Sequence, residues 1–123
     1  MPLTILVADD DAPTLEMLAM FLETGGRTVL TASTGSEAWH LALKHVPDVI
    51  VLDARMPGLT GAEVAQRVRD EPALRGCSLI ALSGQDERDG EGSHLFDRYF
   101  TKPVSPADLL TAMQELEAGR RAS

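Results

Sequence analysis

The chain has 123 residues, 44% of them hydrophobic, which suits one domain with its own core and no need of a disulfide or metal to fold. Nineteen acidic residues against eleven basic ones leave a formal charge of −8, which argues against broad binding to a nucleic-acid backbone, where a positive field is needed. The single cysteine, Cys77, excludes an internal disulfide and, with no basic leader in MPLTILVADD and no run as long as a membrane span, points to a cytoplasmic protein without membrane insertion.

Apolar runs alternate with amphipathic stretches along the chain. Leu3 to Ala8 reads as a buried strand, and Thr14 to Glu23 as a helix with Leu15, Leu18 and Leu22 on one face. Arg27 to Thr31 is a weak strand, followed by a helix from Glu37 to His45. Asp48 to Leu52, the run DVIVL, is the strongest strand signal because it is apolar and largely β-branched. Glu63 to Asp70 is helical through Val64 and Val68. Ser78 to Leu82 and Arg98 to Thr101 read as two further strands, and Ala107 to Ala118 closes the chain as a helix.

Three helix starts are signalled by a hydroxyl three residues ahead of an acid: Thr34 with Glu37, Thr60 with Glu63, and Ser105 with Asp108. The hydroxyl caps free backbone N–H groups, and the acid favours the positive end of the helix. Pro106 falls in a first turn, where proline is tolerated. Strands without a polar face, alternating with helices, imply an α/β fold with a parallel sheet covered on both sides.

In such sheets, sites form at the carboxyl ends of the strands, near the point where strand order reverses. The first strand ends in Asp9-Asp10-Asp11, the third in Asp53, the fourth in Ser83, and the fifth just before Lys102-Pro103. The prediction is a crevice of carboxylates with one hydroxyl and one ammonium. Clustered carboxylates repel, and a hard divalent cation such as Mg²⁺ relieves that repulsion. A carboxylate can then attack phosphorus while the lysine and hydroxyl stabilise the phosphoryl oxygens. Each residue alone has a plainer explanation: a helix cap for Asp9 to Asp11, a loop acid for Asp53, a turn serine, a solvated lysine. Four coincidences on one sheet edge make the joint plain reading poor.

The segments ILVADDD, DVIVLDARMPGLTG, LIALSG and YFTKPV, in this order, resemble the receiver domains of two-component response regulators over about Leu3 to Leu116. The resemblance implies a single doubly wound five-stranded parallel sheet in the order 2-1-3-4-5, with five helices on its two faces, over residues 1–119 and a frayed tail at 120–123. It implies phosphorylation of Asp53 by a phosphohistidine on a histidine kinase or phosphotransfer protein. Mg²⁺, for which Mn²⁺ can substitute, would be held by Asp10, Asp53, the main-chain carbonyl of Arg55 and, through water, Asp9. Lys102 would pair with the phosphoryl group, Ser83 would move toward it, and Tyr99 would change rotamer. Asp11 is read as a cap or surface acid. The chain would be a phosphoacceptor that promotes its own phosphorylation and dephosphorylation, not an enzyme in the usual sense, and the three histidines, His40, His45 and His94, plain surface residues.

The chain departs from that pattern between Ser83 and Tyr99. GQDERDGEGSHLFDR is about one helical turn short for the family and carries three glycines, each costing about 1 kcal/mol in a helix relative to alanine. The fourth helix is therefore expected to be very short, irregular or mobile, which bears on the usual output face. Arg55 and Gln85 border the site and are expected to tune the lifetime of the phosphorylated state. Two alternative readings compete with this one. A haloacid-dehalogenase-type phosphatase would need a second aspartate where Arg55 stands. A receiver-like interaction module that is not phosphorylated sits poorly with the intact acids, Ser83 and Lys102.

Overall fold

Side-chain alternation along the strands decides the architecture. In the computed structural model, which describes residues 3–84 and 93–122, five parallel strands are ordered β2-β1-β3-β4-β5. They are β1 (Thr4–Ala8), β2 (Thr28–Ala32), β3 (Val49–Asp53), β4 (Ser78–Ser83) and β5 (Arg98–Thr101). The first and third pair with Ile5 opposite Val49 and Ala8 opposite Leu52, and the third and fourth with Asp53 opposite Leu82. β3 is buried at every position, as a central strand without a polar face must be.

The alternating residues divide between two cores. Ile5, Val7, Val49, Val51, Ile80 and Leu82 pack against Leu15, Leu18 and Leu22 of α1 (Ala12–Leu22) and Leu109 and Met113 of α4 (Pro106–Ala122). Leu6, Ala8, Ile50, Leu52 and Leu79 pack on the other face against α2 (Gly35–His45) and α3 (Gly61–Asp70), through Ala38, Ala42, Val64, Ala65 and Val68. Alanines at the α2 contact let that helix lie close to the sheet.

All three hydroxyl caps form. Thr34 Oγ1 accepts from Glu37 N at 3.1 Å, and Ser105 Oγ from Asp108 N at 3.3 Å. Thr60 and Glu63 make the full reciprocal box, at 3.2 and 3.0 Å. The helices α1, α2 and α3 nevertheless begin two residues before the apolar spacing suggests. Asp11 caps α1, Pro13 sits in its first turn, and Gly35 and Gly61 occupy the first positions of α2 and α3. At its other end α4 continues past Ala118, where its apolar spacing stops.

The resemblance implies five helices, and four α-helices are found among the described residues. The connection from β4 to β5 is where the fourth of the five was expected to be short or irregular. Residues 85–92, including Gln85, lie outside the described residues, and the described part of the connection carries only a 3₁₀ turn at Ser93–Leu95. Its end is fastened to α3 by Arg69, which donates to Leu95 O at 2.8 and 2.9 Å and to Asp97 Oδ2 at 3.0 Å. Asp97 Oδ2 in turn accepts from Leu79 N at 2.8 Å, so the starts of β4 and β5 are tied together. On the opposite face a buried pair, Arg27 and Glu117 at 2.6 Å, joins the entry of β2 to α4.

Candidate functional site

Each central strand ends in a polar residue, and the sheet brings these ends together. Asp9 follows β1 and is fully buried, while Asp10 beside it is exposed. Asp53 and Ser83 are the last residues of β3 and β4, and both are buried. Lys102 follows β5, held there because its N–H donates to Ser83 O at 2.8 Å. Asp9, Asp10 and Asp53 each offer a carboxylate oxygen within 4.8 Å of the others. The ammonium of Lys102 lies 2.8 Å from Asp53 Oδ2 and 3.3 Å from Asp9 Oδ2.

Backbone donors fix the carboxylates further. Asp53 Oδ1 accepts from Arg55 N at 3.2 Å, and Asp9 Oδ1 accepts from Asp11 N at 2.9 Å. Asp11 itself turns to α1, where its carboxylate accepts from the backbone and hydroxyl of Thr14. Those two hydrogen bonds hold the Asp11 carboxyl below the usual range. Of the two readings given for Asp11, cap or surface acid, the structure shows the helix cap.

Burial pushes the Asp53 carboxyl up. The Lys102 and Arg55 hydrogen bonds pull against that, and the charge of Asp9 adds to the rise. Burial works against the Lys102 ammonium too, but its hydrogen bond to Asp53 and the charges of Asp53 and Asp9 outweigh it, so its pKa lies above the ordinary value. The crevice therefore holds more negative charge than one lysine balances.

The donor set suits a hard divalent cation. It is all oxygen, and Asp9 Oδ2 is buried without a hydrogen bond among the described residues, its nearby cation being Lys102. Two more buried oxygens have no hydrogen-bond partner among the described residues, Ser83 Oγ and Tyr99 Oη. The Tyr99 ring is half-buried and meets Phe96 edge-on, with centroids 5.7 Å apart. The structure brings Asp9, Asp10, Asp53 and Lys102 together and places Ser83 on the neighbouring strand end. Arg55 is exposed on the loop after Asp53, and His40, His45 and His94 are exposed away from these strand ends.

Sequence reasoning passed over two glycines packed against the loop that follows Asp53. A Cβ on Gly61 would lie 2.6 Å from the carbonyl oxygen of Asp53, and one on Gly35 would lie 2.0 Å from that of Leu59. The signal was present in the pairs Thr34-Gly35 and Thr60-Gly61, a cap followed directly by a residue poorly suited to a helix interior.

Residues 5–114 match the family model described as the response regulator receiver domain. The phosphate regulon transcriptional regulatory protein PhoB of Pseudomonas aeruginosa is 35% identical over 114 residues, covering 90% of this chain and 50% of that protein. The chain thus spans about half the length of several curated relatives it matches. Among solved structures, one described as a putative response regulator from Chloroflexus aurantiacus is 30% identical with a TM-score of 0.85, over 96% of this chain and 99% of that one. The chemotaxis response regulator CheY4 of Vibrio cholerae is 28% identical with a TM-score of 0.85, over 94% of this chain and 99% of its own. With its sheet order, its acidic strand ends and this match over most of its length, the chain belongs to the response regulator receiver domain family.

Proposed function

We propose that Asp53 accepts a phosphoryl group from a phosphohistidine on a histidine kinase or phosphotransfer partner. The observation that carries this reading is the position of Asp53: a strand-end carboxylate 2.8 Å from an ammonium, beside two more carboxylates. A carboxylate oxygen of Asp53 forms the new O–P bond as the N–P bond breaks, and the electron pair of that bond stays on the imidazole nitrogen. Mg²⁺ would be held by Asp10, Asp53 and the Arg55 carbonyl, with Asp9 acting through the metal's water shell, and when bound it would neutralise the charge of the acids and of the phosphoryl oxygens.

The other residues divide the remaining work. Lys102 would exchange its contact with Asp53 for one with a phosphoryl oxygen, stabilising charge as it shifts. Ser83 Oγ, buried without a partner among the described residues, would gain an acceptor once the phosphoryl group arrives. Tyr99, whose hydroxyl is also buried and without a hydrogen-bond partner among the described residues, would follow Ser83 inward and carry the change to the face of β5. Arg55, exposed on the loop after Asp53, would shape access for the water that removes the phosphoryl group.

The test is label transfer from a phosphorylated histidine phosphotransfer domain. The proposal expects label on the wild-type chain and none on Asp53→Asn. Label that persists on Asp53→Asn would overturn it. Absence of Mg²⁺ binding would favour a receiver-like interaction module instead.

A further inference from the structure

The loop that leaves Asp53 does not rest on the site alone. Residues 54–60 run back toward α2, which contributes no side chain to the carboxylate cluster. Gly35, the first residue of α2, donates its N–H to Pro57 O at 3.4 Å, so an otherwise unsatisfied helix-end donor is used to hold the loop. A Cβ at Gly35 would meet three atoms of Leu59: its carbonyl oxygen at 2.0 Å, and its carbonyl carbon and Cβ at 2.7 Å. Two of these atoms are backbone, so no rotamer change relieves the clash.

Gly35 has no positive φ, so space alone requires glycine there. The rest of the loop is held as firmly. Met56 is buried in the core between sheet, α2 and α3, and Leu59 packs against the same core. At the far end Gly61 N donates to Ala54 O at 3.3 Å. Near the start of the loop, Arg55 N donates to Asp53 Oδ1 at 3.2 Å.

We propose that Gly35 is a positioning residue for the metal and phosphoryl site: by having no side chain it lets the loop after β3 seat on α2, and that seat aims the Arg55 backbone at Asp53. This rests on the phosphoacceptor reading and extends it to a residue that touches neither metal nor phosphate. A methyl group at Gly35 pushes Leu59 outward. The displacement runs back along the loop and moves the Arg55 N–H, and with it the carboxylate it orients. Residues that orient metal ligands from behind typically change metal affinity by 10- to 100-fold when altered.

The experiment is Mg²⁺ titration by calorimetry, well below each variant's Tm, on wild type, Gly35→Ala and Gly76→Ala. Gly76 has nothing within 4 Å of an added Cβ, so Gly76→Ala serves as the control and should keep the wild-type Kd. Gly35→Ala should bind Mg²⁺ about tenfold more weakly while melting cooperatively. A lowered Tm with an unchanged Mg²⁺ Kd would make Gly35 a packing residue only and overturn the proposal. Should Gly35→Ala not fold, Leu59→Ala loosens the same contact from the loop side without a clash. It should weaken Mg²⁺ binding in the same direction, and a wild-type Kd would overturn the proposal. Wild type that binds no Mg²⁺ would remove the phosphoacceptor reading and this inference together. Wild type that binds normally alongside an unaffected Gly35→Ala would remove this inference alone.

Discussion

Lys102 Nζ sits 2.8 Å from Asp53 Oδ2, although 49 residues separate the two in the chain. β5 delivers the lysine and β3 the aspartate, with β4 between them. This pair offsets charge on Asp53. Lys102→Ala should therefore slow phosphorylation from a small phosphodonor by about 10²-fold at saturating Mg²⁺. The Mg²⁺ affinity should hold or rise, since a competing cation has gone. An unchanged phosphorylation rate would show that the lysine plays no part in the transfer.

Ser83 gives a prediction of opposite sign for stability and function. Its hydroxyl is buried without a hydrogen-bond partner among the described residues, a desolvation cost of about 1–3 kcal/mol that Ser83→Ala removes. The variant should melt at or above the wild-type temperature. Any spectroscopic or chemical-shift change at Tyr99 on phosphorylation should shrink. A marked loss of stability in thermal melts would mean that Ser83 already has a partner in the resting state.

Much of the site could be read from residue order because strand ends are local features. DVIVL followed by Asp53, and SLIAL followed by Ser83, put each polar residue at the end of an apolar run, and a parallel sheet then collects those ends on one edge. Helix starts were harder to read. Periodicity counts apolar residues, so it places Gly35 and Gly61 outside their helices although both lie inside. Contacts between distant charges leave no local pattern at all. Arg27 looked like the opening of a weak strand, and Arg69 and Asp97 carried no signal.

Arg27 and Glu117 form a pair whose side chains are only 7% and 10% exposed, and Glu117 Oε2 also accepts from Leu3 N at 3.3 Å. Removing one partner of a buried pair leaves an uncompensated charge. Glu117→Ala should cost about 3–5 kcal/mol in urea unfolding, a large share of a small domain's stability. A change below about 1 kcal/mol would place the pair among surface ion pairs instead.

Glu63 carries a pH prediction. The backbone and hydroxyl of Thr60 hold its carboxyl below the ordinary glutamate value, so the folded chain binds this proton less readily than the unfolded one. Its contribution is present above the ordinary value and is lost as pH falls through the lowered one. Glu63→Gln keeps an amide able to cap but removes the titration. The Tm difference between wild type and Glu63→Gln should favour wild type at neutral pH and shrink toward or past zero under strong acid. A difference that does not vary with pH would contradict the capping assignment.

Intact-mass measurement after incubation with a small phosphodonor tests the central claim most directly. The expected result is a gain of one phosphoryl group on the wild-type chain with Mg²⁺ present, and no gain without metal or in Asp53→Asn. A wild-type chain that stays unmodified, or an Asp53→Asn chain that gains the same mass, would contradict the account.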